Sequence, residues 1–124
     1  MATIKSYTSV EQSRKLAEIL PLESADMMWE QHGVEPYVTI KPWTTIGKSI
    51  GCHCLSCWSL AALLSVLPKT FVYNDHTYQF MYNTNAMFYI NLDTYDEDTF
   101  CSTNENLVDA CYEMIIKLNE LKIL

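Results

Sequence analysis

Three of the five cysteines fall within six residues, Cys52-His53-Cys54-Leu55-Ser56-Cys57. Thiolates and imidazole suit Zn²⁺, and a Cys-x-x-Cys step lets two sulfurs meet one ion. A structural zinc site wants four ligands, usually as two separated pairs. Here a second pair is missing, and Cys101, Cys111, His32 or His76 would have to complete the set. The plainer reading is a group of small, mostly buried thiols beside a loop histidine. Cys54 and Cys57 also precede an expected helix, and a helix N-terminus lowers a thiol's pKa, as redox motifs require. A thioredoxin-like motif needs a strand directly before it and a βαβ pattern around it. A glycine-containing irregular segment is expected instead, so thiol chemistry ranks behind metal binding.

The second concentration is acidic. No Lys or Arg occurs from Thr70 to Ile116, a stretch that holds Asp75, Asp93, Asp96, Glu97, Asp98, Glu105, Asp109 and Glu113. Asp93, Asp96 and Asp98 could gather a hard cation, but the EF-hand spacing, its glycine and its closing Glu are absent. Such a surface could instead meet a basic partner, or imitate nucleic-acid charge toward a DNA-binding protein. The plainer reading is a solvated loop and a helix start whose acids complement the helix dipole. Tyr73, Tyr78, Tyr82 and Tyr89 could form a binding face, although tyrosines on a half-covered sheet are more often packing residues with wet hydroxyls. His32, His53 and His76 have no evident Ser or Asp arrangement around them. No Gly-rich phosphate loop, nucleophile elbow or H-E-x-x-H is present. No residue is assigned as catalytic, cofactor-binding or metal-binding, and no cofactor is expected.

The elements that position these residues can be read from periodicity. Val10 to Leu20 predicts a first helix, capped by Ser9, with Glu11 in its first turn and Pro21 ending it. Val10, Leu16, Ala17, Ile19 and Leu20 give it an apolar side. Asp26 to Glu30 and Tyr37 to Lys41 suit two short strands, the second flanked by Pro36 and Pro42. Gly33, Gly47 and Gly51 are the only glycines, and they mark residues 31 to 56 as irregular. A second helix is expected from Cys57 to Leu67, stopping before Pro68. Its near-absence of polar residues predicts a central, covered helix, each buried Leu contributing about 1.5–3 kcal/mol.

A β-meander follows over Phe71 to Tyr73, Thr77 to Tyr82 and Met87 to Leu92. Asn74-Asp75-His76 and Asn83-Thr84-Asn85 supply its turns, and Tyr78, Phe80 and Tyr82 share one face. The last helix is announced by a capping box, Ser102 with Glu105. Leu107, Cys111, Met114, Leu118 and Leu121 form its apolar stripe, and Glu113 and Lys117 form an i,i+4 pair.

Composition bounds the rest. The 124 residues are enough for one domain, and 49% hydrophobic content argues against disorder. Eight basic against fifteen acidic residues give a net charge of −7. A broad nucleic-acid-binding face is therefore not expected, since that affinity rests on Lys and Arg against phosphates. Residues 1–6 carry no apolar run, and the longest apolar stretch, Trp58 to Leu67, is too short to span a bilayer. An odd cysteine count without a signal peptide argues against a disulfide framework. A cytoplasmic protein with reduced thiols is expected, without membrane or direct nucleic-acid partners.

Three blocks, QSRKLAEILPLESADM (Gln12 to Met27), CWSLAALLSVLP (Cys57 to Pro68) and NLVDACYEMIIKLNELKIL (Asn106 to Leu124), carry a resemblance. They hold 47 of the 124 residues and look like a family of short uncharacterised proteins from gut Bacteroides-type bacteria and their phages or mobile elements. The resemblance implies a bacterial, cytoplasmic setting and a mobile-element role, and it transfers no functional residue. Met28 to Ser56 lies outside the matching blocks. The expectation is a single α+β domain over residues 1–124, a small antiparallel β-meander packed with about three helices. The leading reading of function is a non-enzymatic protein-binding or accessory module whose partner is a basic host protein. The alternative is a small zinc-binding domain using Cys52, Cys54 and Cys57.

Overall fold

The computed structural model describes residues 6–32, 35–39, 53–83, 86–104 and 106–124. It is an α+β fold with a three-stranded and a four-stranded antiparallel sheet. The chain divides into two compact units, the first over Ser6–Leu63 and the second containing Leu64–Leu124.

The first unit opens with α1 (Val10–Ile19). Ser9 Oγ accepts from the Gln12 amide at 3.1 Å, and Gln12 Oε1 accepts from the Ser9 amide at 3.0 Å. This reciprocal cap satisfies donors that every helix start leaves open. Leu16 and Ser13 are buried, whereas Ala17, expected on the apolar side, is exposed. A single 3-10 turn, Leu22–Ser24, follows. Strand β1 (Met27–His32) is the centre of its sheet, between β2 (Glu35–Thr39) and β3 (His53–Cys57). Pro36 was expected to bound the second strand; it sits inside β2, opposite Gln31. β2 is an edge strand, where a missing N–H need not break a ladder. Lys41 and Pro42 lie outside the described residues.

Two expectations fail here for one reason. Residues 31 to 56 are not simply irregular, because they contain the end of β1, all of β2 and most of β3. Cys57 does not start a helix: it closes β3, paired with Met27. Pairing with β1 gives this segment a backbone partner that its own composition does not announce. The helix, α2 (Leu60–Val66), begins three residues later. Ser59 sets its start, its hydroxyl accepting from the Ala62 amide at 3.2 Å. Asp26 in turn accepts from both the Ser59 amide, at 2.9 Å, and its hydroxyl. Nor is α2 covered all round, since Ala62 and Leu63 are buried but Ala61 and Ser65 are exposed. Small side chains lose little by facing water.

In the second unit β4 (Thr70–Tyr73), β5 (His76–Tyr82), β6 (Ala86–Asn91) and β7 (Phe100–Thr103) pair in sequence order. Asn74 and Asp75 both have positive φ, 51° and 65°. That is the two-residue turn whose twist matches a hairpin, and it places His76 at the head of β5 instead of in the turn. Thr84 and Asn85 lie outside the described residues. Strand β7 is an element that the sequence reading omits.

The last helix, α3, runs from Leu107 to Glu120. Its cap is Asn106, not Ser102: Asn106 Oδ1 accepts from the amides of Val108 and Asp109 at 2.9 and 3.3 Å. Ser102 belongs to the β7 ladder opposite Met87, and its hydroxyl donates to Glu113 Oε2 at 2.9 Å. Glu105 is outside the described residues. Cys111, Met114 and Leu118 are buried as the stripe predicts, joined by Val108, Ala110 and Ile115. Leu121 ends the stripe 37% exposed. Facing them on the sheet, Phe71, Tyr78, Tyr89 and Phe100 form an aromatic cluster with centroid separations of 4.7 Å (Phe71–Tyr89), 5.3 Å (Phe71–Tyr78) and 4.9 Å (Tyr78–Phe100). Among the described residues no helix is long and apolar enough to cross a membrane.

Candidate functional site

The two sequence concentrations meet opposite fates. In the first unit Cys57 is wholly buried. Its Sγ donates to the Thr8 carbonyl at 3.5 Å and lies 3.6 Å from Thr8 Oγ1. Thr8 Oγ1 also bonds Ser13 Oγ at 2.7 Å and accepts from the Trp58 amide at 3.2 Å. The Trp29 indole adds a bond to the Thr8 carbonyl at 3.1 Å. Burial pushes the Cys57 thiol up, outweighing the hydrogen bonds from Thr8 and Ser13 that act the other way. A reactive thiol needs the opposite shift and access to solvent. Position 54 lies on β3 opposite Glu30, and Cys52 is outside the described residues.

The other thiols are in the second unit. Cys111 is buried on α3 with its sulfur 3.2 Å from Met87 Sδ, and desolvation pushes its pKa up to about 12. Cys101 pairs with Phe88, one residue out of phase with Met87, so it occupies the other sheet face. The fold therefore does not bring Cys101 and Cys111 together. His32 closes β1, and His76 pairs with Asp93. Among the described residues no group of three or more His, Cys, Asp or Glu is placed to hold a metal ion.

Of the four tyrosines proposed as a binding face, Tyr78 and Tyr89 are buried and Tyr73 is half-buried. The Tyr89 hydroxyl donates to the Pro68 carbonyl at 2.7 Å. Tyr82 alone among them is largely exposed.

The acidic residues are gathered by topology. In an up-and-down meander the β4–β5 turn and the β6–β7 loop lie at the same end of the sheet. That end carries Asp75 from the turn and Asp93, Asp96, Glu97 and Asp98 from the loop. His76 Nδ1 and Asp93 Oδ2, 2.9 Å apart, join the two connections.

The loop is held by its own polar groups. Asn91 is buried, and its Oδ1 accepts from the amides of Asp93 and Thr94 at 2.9 and 3.2 Å. Its backbone closes the turn, accepting from the Tyr95 amide at 2.6 Å and donating to Asp96 at 2.9 Å. Asp96 accepts from the Asp98 amide at 3.0 Å and from the Thr99 hydroxyl. These bonds to the ionised form hold its carboxyl below the usual carboxylate range.

Tyr95 is turned outward, 73% exposed, with a positive φ of 60°. Leu92 is exposed beside the same acids. Lys117 was expected to pair with Glu113; its ammonium instead donates to the Thr99 carbonyl at 2.6 Å and lies 5.5 Å from the Phe100 ring centroid. Glu113 accepts from Ser102 and Asn104. Among the described residues Lys15 pairs with Glu18 and the His76 ring is hydrogen-bonded to Asp93, so Glu97 and Asp98 have no cationic partner there.

Asn91 and Tyr95 are the site residues that sequence reasoning missed, and it gave Lys117 the wrong partner. An Asn two residues before an Asp-Thr step, where an amide oxygen can cap the next turn, was the available signal. The arrangement is built from the β4–β5 turn and the β6–β7 loop. It offers a fixed anionic surface with one outward aromatic side chain. Compared with protein-family models, with curated proteins and with solved structures, the chain matches none.

Proposed function

We propose that this chain is a non-enzymatic protein-binding module that presents the acidic end of the four-stranded sheet to a basic surface of a partner protein. The observation that carries the reading is the gathering of Asp75, Asp93, Asp96, Glu97 and Asp98 on two connections tied by the His76–Asp93 pair. Charge of one sign speeds encounter with an oppositely charged surface and fixes its orientation. Tyr95 adds apolar area next to that charge, the residue type that interfaces favour. A loop already ordered by Asn91 and Asp96 loses little freedom on binding. A net charge of −7 disfavours direct contact with nucleic acid. The sequence resemblance supports a cytoplasmic accessory role in a phage or mobile element, and the acidic surface supports a basic host protein as partner.

The test is affinity purification from the native host followed by native mass spectrometry at low and high salt. The expected result is a basic protein that is retained at low salt and released at about 0.5 M salt, where surface charges are screened within a few ångströms. Undiminished capture of the same partner by the double variant Glu97→Gln/Asp98→Asn would defeat the proposal.

A further inference from the structure

We draw no further inference here: the strongest candidate, the outward face of the four-stranded sheet around the exposed side chains of Val72 and Met81, carries nothing because nothing in the structure shows what covers it.

Discussion

The end of β3 and the loop between β6 and β7 are both places where the sequence crowds one kind of chemistry into a few residues. At β3 the fold draws Cys57 inside and surrounds it with Thr8, Ser13 and Trp58. At the loop it leaves Glu97 and Asp98 in solvent and spends its polar contacts on the backbone beneath them. Crowding therefore locates a special region, while burial decides whether that region can act. A thiol whose pKa is raised by desolvation is a packing group. Carboxylates on an ordered, exposed loop are available to a partner.

The largest way to break this comparison is alkaline pH. Cys57 and Cys111 are held neutral by burial, with folded pKa values above the unfolded one. The stability they contribute is complete below the unfolded value of about 8.5 and is lost as pH rises toward the folded values. For Cys111 that window reaches about 12. Urea unfolding should lose about 2 kcal/mol from Cys111 between about pH 8.5 and pH 10, with a further loss in the same direction from Cys57. Cys111→Ala should flatten part of that slope. A slope unchanged in this variant would mean that the thiol is not buried as described.

Next in size is Thr8→Val, which removes the hydroxyl shared by Ser13, Cys57 and the Trp58 amide. Leaving buried polar groups unpaired should cost about 1–3 kcal/mol in urea unfolding. A stability equal to that of the parent would show that this cluster does not hold the first unit together. On the loop side, Asn91→Ala removes the acceptor for two amides, and it should cost about 1 kcal/mol. The amides of Asp93 and Thr94 should then exchange faster while those of α3 keep their protection. Uniform loss of protection would mean that the loop is not a separate ordered feature.

The smallest effect concerns Asp96. Its folded pKa is lowered, so its contribution is present above the unfolded value near about 3.9 and is lost as pH falls through the folded one. The Asp98 amide signal should move on acidification together with the Asp96 carboxyl. An Asp98 amide that follows a different titration would remove the bond from the account.

How far the sequence reveals this architecture depends on whether local pattern and long-range pairing agree. The α3 stripe and the alternation of Tyr78, Phe80 and Tyr82 are visible because one periodicity repeats over many residues. Strand β3 is hidden because His53-Cys54-Leu55-Ser56-Cys57 contains no β-branched residue and owes its form to β1. Ser102 and Asn106 both suit a helix cap, and only pairing with Met87 assigns Ser102 to β7. At the candidate site the acids are legible one by one. Their meeting with Asp75 requires the meander to close. Tyr95 is the least legible, since a bulky residue is a poor guess for a left-handed backbone position.

The most direct measurement of the central claim compares the parent with Glu97→Gln/Asp98→Asn, for thermal melting and for salt-dependent capture of the proposed basic partner. Both side chains are exposed on the loop, and the bond from Asp98 to Asp96 is made by the backbone amide, which the substitution keeps. The account predicts an unchanged melting temperature, with capture lost or its salt dependence abolished. Capture that persists with the same salt dependence, in a variant that melts like the parent, would contradict it.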